Sequence, residues 1–297
     1  MSWPQAETRV DEELVRYLLR TQFPAIAEQE CWHIGEGFDN FLWRVGDHLV
    51  VRLPRREAAV VPIVNEIDWL NVLAQRLSLR TPAPLFAGAP CDRFAWPWLI
   101  GRWIDGEPGD EIDFEVDGDG ARAMGTFLRE LHDEAPSDAP TNVWRGVPLA
   151  QRTVDFERRA RALDGEIDFV SLLEQWERAC DAPTWDRAPR WLHGDFHPGN
   201  MVYQDGALVG VVDFGDLCAG DPATDLAGGL MSLPFEHLDA FFSTYGAPDE
   251  ATMRRTVGWA LLFGVMMVSL GLHERHSYLD VGRRALANAS ALSVTLT

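Results

Sequence analysis

The chain has 297 residues, of which 46% are hydrophobic and 24% charged. This composition indicates a globular protein with a substantial core and excludes disordered, collagen-like and coiled-coil chains, while the length favours two lobes. The formal net charge of −20 would repel phosphate backbones and anionic lipid, so we expect no nucleic-acid or membrane partner, and no feature indicates a protein partner.

Cysteine usage and hydropathy indicate the compartment. The four cysteines lack any CxxC spacing, so neither a disulfide framework nor a zinc site is expected. The first residues show no positively charged segment followed by an apolar run, which predicts a cytoplasmic protein. The longest uncharged stretch, residues 257–272, is shorter than the roughly 20 residues of a membrane span and predicts a buried helix.

Residues 1–101 are predicted to form an N-terminal, nucleotide-binding lobe. Short apolar runs alternate with turn residues over 31–53, which predicts three antiparallel strands, and a further strand pair is expected near 84–104. Between them, apolar residues from Pro62 onward fall on one helical face, and the pattern ends at the segment TPAP, which begins at Thr81. This predicts a single packed helix. That face consists of Ile63, Ile67, Leu70, Ala74 and Leu77.

Residues 102–297 are predicted to form a larger, mainly helical C-terminal lobe that carries catalysis and acceptor binding. It opens on eight acidic residues without arginine between Asp105 and Asp119. Apolar residues at helical spacing over 121–131, and good helix formers over 151–180, indicate amphipathic helices. The predicted fold class is therefore α+β, with a small antiparallel sheet in one lobe and helices in the other.

Residues 191–216 read WLHGDFHPGNMVYQDGALVGVVDFGD and concentrate polar residues at strand ends. A hairpin with its turn at 204–206 would bring Asp195, Asn200 and Asp213 to one mouth. Mg²⁺ prefers a few carboxylate or amide oxygens, and phosphoryl transfer needs one further carboxylate that orients the attacking hydroxyl. Asn200 and Asp213 fit the metal role and Asp195 fits the base, although either Asp195 or Asn200 alone also fits a simple cap of a helix or turn.

The segments HGDFHPGN, VVDFGD and GDPATDLA, in this order, resemble the aminoglycoside phosphotransferase family of antibiotic and small-molecule kinases. The resemblance implies a protein-kinase-like two-lobe fold, ATP or GTP as co-substrate and Mg²⁺ as cofactor. It makes Asp195 the catalytic base, Asn200 and Asp213 the magnesium ligands, and Asp225 the acidic residue that braces the catalytic loop. His193 is expected to fix that loop by backbone hydrogen bonds.

The first lobe offers candidates for the nucleotide site. Glycines between the first two strands would let backbone N–H groups approach phosphates, although a plain β-turn is the alternative. Kinase-like folds carry a lysine on the third strand and its acidic partner on the next helix; this sequence has no lysine, and arginine stands there instead. A surface ion pair is the alternative for that arginine and glutamate. The candidates, with two residues at the lobe boundary, are Gly35, Gly37, Asn40, Arg52, Glu66, Gly101 and Trp103.

The acceptor is less defined than the reaction. Only residues 216–219 separate DFG from GDPATDLA, which leaves no room for a peptide-positioning activation loop and favours a small hydroxyl-bearing acceptor. The acidic run 105–119 would attract a cationic aminoglycoside if it lines the cleft, and a solvated acidic loop is the alternative. Twelve tryptophans permit a macrolide or another bulky apolar acceptor. A metabolic kinase acting on choline, homoserine or a sugar, and a catalytically silent binding module, remain as further alternatives.

Overall fold

A five-stranded antiparallel sheet forms the N-terminal part of the computed structural model, which describes residues 4–163 and 165–296. Its strand order is β1-β2-β3-β5-β4, so the first three strands form a meander and the last two a hairpin beside it. The strands are β1 (Cys31–Glu36), β2 (Asn40–Val45), β3 (Leu49–Pro54), β4 (Pro84–Gly88) and β5 (Trp98–Arg102). All five predicted strands are confirmed.

One face of this sheet is covered by a helix that the sequence analysis did not predict, α1 (Glu12–Gln22). Its buried residues, among them Leu14 and Leu18, are spaced for one face of a helix, and they share one hydrophobic core with the alternate residues Phe41 and Trp43 of β2. The Asp11 side chain caps α1 by accepting the Leu14 N–H at 3.0 Å. Together these elements enclose the smaller of two hydrophobic cores.

The predicted helix after β3 exists but differs in detail. It runs as α2 (Val60–Asn65), a π-helical turn (Glu66–Leu70) and α3 (Asn71–Ala74), so it ends before Leu77 and the prediction was too long there. Glu66, three residues after the buried Ile63, is fully buried, while Ile67 is only half-buried. A carboxylate thus points into the protein where the simple helical period placed an isoleucine.

The C-terminal part is mainly helical, as predicted, and is built around one long helix, α9. That helix packs against α6, α7 and α10. It is the one helix among residues 4–163 and 165–296 that is long and apolar enough to cross a membrane, but 72% of its most apolar window is buried inside the fold. The predicted buried helix is therefore confirmed. The helices are α4 (Gly118–Leu131), α5 (Thr153–Arg161), α6 (Phe169–Cys180), α7 (Ala223–Ser232), α8 (Leu238–Tyr245), α9 (Glu250–His273) and α10 (Ser277–Thr295).

Short strands in the C-terminal part support the loops that carry Asp195, Asn200 and Asp213, which we call the cleft. The hairpin of β8 and β9 turns at Asp205 and Gly206, whose φ angles of +52° and +80° are those of a type I′ turn, as the sequence predicted. β6 pairs with β8, and β7 pairs with β10. Their bounds are β6 (Glu107–Pro108), β7 (Arg190–Leu192), β8 (Met201–Gln204), β9 (Ala207–Val211) and β10 (Cys218–Gly220).

Each part has its own hydrophobic core, in keeping with two lobes. Leu70 and Leu73, at the end of the helix after β3, nevertheless pack into the core of the C-terminal part. The lobe boundary at residues 101/102 stays a prediction.

The contact between α9 and α10 depends on glycine. A Cβ atom at Gly282 would lie 2.6 Å from the backbone nitrogen of Val268 and 2.8 Å from the carbonyl oxygen of Gly264. We expect Gly282→Ala to lower the free energy of unfolding by about 1–3 kcal/mol, because overpacking outweighs the better helix propensity of alanine. Denaturant unfolding of the purified variant measures this.

Gly118→Ala is the matched control. It also places alanine in a helix, but its Cβ would have no neighbour closer than 3.4 Å, at the flexible end of Arg122. We expect it to leave stability unchanged or slightly raised. Equal stabilities of the two variants would contradict close packing of α9 on α10.

Candidate active site

A buried carboxylate holds the loop that follows β7. The two oxygens of Asp225 accept the backbone N–H of His193 at 2.6 Å and of Gly194 at 2.8 Å. His132 Nε2 lies 3.1 Å from the same carboxylate, and its Nδ1 lies 2.9 Å from the hydroxyl of Tyr245. The loop is therefore fixed by one fully buried side chain, in the bracing position that the resemblance implies.

His193 fixes the loop from within, as expected. Its Nδ1 accepts the Asp195 backbone N–H at 3.2 Å, so the ring proton sits on Nε2, which donates to the carbonyl of Val212 at 3.0 Å. Gly194 has a φ of +83°, and a Cβ there would lie 2.5 Å from the carbonyl oxygen of Asp216. Only glycine fits this turn.

Asp195 lies at the end of the loop with its side chain 35% exposed. Its carboxylate is 3.3 Å from Arg145 Nη2 and 3.4 Å from His197 Nε2, and the Asn200 amide donates to its carbonyl at 2.9 Å. Burial raises the pKa of Asp195, but His197 first and then Arg145 and His193 lower it more, so its pKa lies well below the usual range. The carboxylate is therefore ionised and can be reached from the cleft.

The β8–β9 hairpin brings Asn200 and Asp213 to one place. The Val212 N–H donates to the Asn200 carbonyl at 2.9 Å, and Asp213 follows with a φ of +61°, a conformation that aspartate tolerates better than most residues. Its side chain is 56% exposed. One carboxylate and one amide oxygen form the donor set that Mg²⁺ shares with substrate phosphates, so the residues fit this ion. No group of three His, Cys, Asp or Glu in the described parts of the chain could enclose a metal.

An ion-pair chain connects the two lobes. Arg52 Nη1 lies 2.5 Å from Glu66 Oε2, and Arg52 Nη2 lies 3.4 Å from Asp213 Oδ1. Glu66 is fully buried and Arg52 nearly so, so this is not the surface pair of the alternative interpretation. Burial raises the pKa of Glu66, Asp213 adds to the rise, and Arg52 opposes it.

The turn between β1 and β2 covers the same region. Gly37 donates to the carbonyl of Asn40 at 2.8 Å, and Gly35 has a φ of +151°. Within this turn, Asp39 pairs with Arg56 at 2.6 Å. Burial raises the pKa of Asp39, Arg56 opposes this, and the charges of Asp213 and Asp216 add to the rise, so the tip of the turn lies near the cleft carboxylates.

Gly101 lies in β5, and Trp103 directly follows that strand. Trp103 donates to the carbonyl of His48 at 2.8 Å and stacks under the Arg44 guanidinium, 4.3 Å from its ring centroid. His48 adjoins the turn from β2 to β3, at the end of β2 away from Gly37. The structure thus does not join these two residues to the cluster around Asp195, and their role in nucleotide binding stays a prediction.

Two residues of this cluster, Arg145 and Asp216, were not identified as site residues from the sequence. Arg145 Nη2 lies 3.1 Å from Asp216 Oδ2 as well as near Asp195, and Asn142 Nδ2 donates to Asp216 Oδ1 at 2.8 Å. Asp216 directly follows DFG, so its position was a usable signal. Arg145 stands fifty residues before Asp195, and no local pattern connects them.

The acidic run is only partly available to an acceptor. Asp110 is buried and pairs with Arg275 at 2.9 Å, and Glu111 pairs with the same guanidinium at 2.5 Å. Asp117 caps α4 by accepting the N–H groups of residues 119 and 120. These carboxylates stabilise the fold and are not free to attract a cation.

The fold and this cluster define a kinase-like phosphotransferase. A model of the phosphotransferase enzyme family matches residues 32–259. Viomycin phosphotransferase of Streptomyces vinaceus is 29% identical over 238 residues, which cover 71% of this chain and 77% of that protein.

Two solved structures share the fold. APH(2'')-IIIa in complex with GDP and kanamycin superposes with a TM-score of 0.68 at 21% identity, over 94% of this chain and 99% of that one. Macrolide 2'-phosphotransferase of Brachybacterium faecium superposes with a TM-score of 0.59 at 20% identity, over 92% and 97%.

The chain therefore belongs to the phosphotransferase enzyme family. It is an enzyme that transfers phosphate from a nucleoside triphosphate to a small molecule. The resemblance drawn from its motifs, and the protein-kinase-like fold which that resemblance implies, are confirmed.

The buried pair Arg52–Glu66 generates a test of stability against binding. We expect Arg52→Met to lower the free energy of unfolding by about 3–5 kcal/mol, because it leaves the buried Glu66 carboxylate without its partner. The double variant Arg52→Met/Glu66→Met should regain most of this stability but still bind nucleotide weakly. Thermal unfolding and calorimetric titration with ATP and GTP measure the two effects separately. Wild-type nucleotide affinity in the stable double variant would show that Arg52 is structural only.

Proposed function

We propose that this enzyme transfers the γ-phosphate of ATP or GTP to a hydroxyl group of an aminoglycoside or a related antibiotic, with Asp195 as the base. The observation that carries this proposal is the ionised, partly exposed carboxylate of Asp195, which Arg145 and His197 contact, while the Asn200 amide donates to the Asp195 backbone carbonyl. Because the pKa of Asp195 is low, its carboxylate would accept the proton late in the transfer. Its main role would be to orient the attacking hydroxyl.

Asn200 and Asp213 would hold Mg²⁺, whose charge neutralises the phosphate oxygens during transfer. Arg52 takes the place of the missing lysine. Its Nη2 group, 3.4 Å from Asp213 Oδ1, lies where the phosphates would meet the metal. The backbone of the turn at 35–40 would cover the phosphates. Gly101 and Trp103 remain candidates for the rest of the nucleotide.

The net charge of −20 supports a cationic acceptor. The acidic run contributes less than expected because Asp110 and Glu111 already pair with Arg275. Asp195 and Asp216 are each about one third exposed and share the single guanidinium of Arg145, so one negative charge of this pair is unmatched and would supply part of the attraction. The relation to viomycin phosphotransferase agrees with an antibiotic acceptor. A cytoplasmic location belongs to the same proposal.

A macrolide or another bulky apolar acceptor is the second candidate. Trp144 is 56% exposed and directly precedes Arg145, which touches Asp195. The Trp144 ring stacks on the Arg152 guanidinium, 4.6 Å from the ring centroid, and its exposed part offers an apolar surface to a large acceptor. The fold shared with a macrolide phosphotransferase is compatible with it.

A nucleotide-consumption screen with Mg²⁺ tests the proposal, with viomycin, aminoglycosides, macrolides, choline, homoserine and simple sugars as acceptors. With the acceptor found, Asp195→Asn should lower turnover by about 10²- to 10⁴-fold and leave nucleotide binding nearly intact, because a positioned base acts on the chemical step. A variant that kept more than a tenth of wild-type turnover would exclude Asp195 as the base.

The metal role has its own test. We expect Asp213→Ala to abolish the Mg²⁺ dependence of nucleotide binding, because the carboxylate shares the ion with phosphate oxygens. Asp113→Asn, in the exposed part of the acidic run, is the control and should leave that dependence unchanged. Calorimetric titration of ATP and GTP with and without Mg²⁺ gives the measurement. Retained metal dependence in Asp213→Ala would move the metal site elsewhere.

A further inference from the structure

We infer that Arg145 is a positioning residue for the transfer reaction, because its guanidinium bridges Asp195 and Asp216 and holds the Asp195 carboxylate toward the cleft. The inference rests on the proposed role of Asp195. It concerns how the base is oriented, which neither the family match nor the motifs around Asp195 describe.

The bridge is made by a single nitrogen. Arg145 Nη2 lies 3.3 Å from Asp195 Oδ1 and 3.1 Å from Asp216 Oδ2. The Arg145 side chain is 12% exposed, whereas both carboxylates are about one third exposed. The cation is therefore less exposed than the two carboxylates that it bridges, and both carboxylates remain partly accessible to solvent.

The segment that carries Arg145 is fixed to the stretch that follows DFG. Gly146 accepts the Asp221 N–H at 3.0 Å and donates to the Thr224 hydroxyl at 3.1 Å. Its φ is +67°, and a Cβ there would lie 2.9 Å from the Cα of Gly220. These contacts hold the Arg145 backbone in place, so the guanidinium is set before any substrate arrives.

A purely stabilising role explains the arrangement less well. Asn142 donates to Asp216 Oδ1 at 2.8 Å, so Asp216 has a hydrogen-bond partner besides Arg145. The Nε–H group of Arg145 is buried without a hydrogen-bond partner among the described residues. An unpaired buried donor destabilises a fold, so the position of the guanidinium is better explained by what it does to Asp195.

A double-variant cycle tests the inference with the acceptor identified by the screen. We expect Arg145→Gln to lower kcat by about 10- to 100-fold, the scale of a hydrogen bond to a charged group, with little change in nucleotide KM. In the Asp195→Asn background the same change should have less than about a twofold effect, because there is no carboxylate left to position. Arg145→Lys should regain part of the lost kcat.

Arg76→Gln is the control, since Arg76 is likewise paired with a carboxylate, that of Asp133 at 2.8 Å, but contacts none of the proposed site residues. It should change thermal stability without changing kcat. Equal losses from Arg145→Gln in the wild-type and Asp195→Asn backgrounds, or an unchanged kcat, would overturn the inference. Should Arg145→Gln fail to fold, Arg145→Lys runs the same cycle.

A crystal structure of Arg145→Gln separates this inference from the proposed function. If the wild-type enzyme phosphorylates no acceptor of the screen, the proposed acceptor class fails while the structural arm still decides about Arg145. We expect the Asp195 carboxylate to leave its wild-type rotamer in the variant. A carboxylate that stays in place without the guanidinium would overturn the positioning role.

Discussion

Two buried guanidiniums each bridge a pair of carboxylates, and the geometry of the cleft depends on them. Arg52 joins Glu66 of the N-terminal lobe to Asp213 of the C-terminal lobe. Arg145 joins Asp195 to Asp216 within the C-terminal lobe. Without these cations the carboxylates of each pair would repel one another at short range. The bridges therefore keep the acidic groups close together.

The absence of lysine gives this arrangement its form. A guanidinium presents several N–H donors in one plane and keeps its charge when buried, so it can bind two carboxylates at once. An ammonium is a compact charge that loses its proton more readily on burial. Arg52 uses different terminal nitrogens for Glu66 and Asp213, which ties the helix after β3 to the loop after β9. Arginine at this strand therefore connects the two lobes through a single side chain.

The parts of the site that follow from sequence are those encoded by local signals. The type I′ turn at Asp205 and Gly206 sets the register of a short hairpin, and that register brings Asn200 next to Val212 and hence Asp213. The strands of the sheet likewise follow from apolar runs between turn residues. What local patterns could not supply are contacts between distant segments, such as Arg145 with Asp195. They also could not supply the π turn Glu66–Leu70, because a helical period read from apolar residues assumes a regular helix.

The balance of charge in the cleft suits the proposed reaction. The guanidiniums of Arg52, Arg56 and Arg145 face the carboxylates of Asp39, Glu66, Asp195, Asp213 and Asp216, which leaves two negative charges unmatched among these side chains. A divalent cation at Asn200 and Asp213 would match that charge before the phosphates of the nucleotide enter. Because Asp213 also binds Arg52, arrival of the cation would free hydrogen-bond donors of that guanidinium for phosphate oxygens. The same carboxylate would then control both the metal and the arginine, so nucleotide binding and metal binding are expected to be coupled in this enzyme.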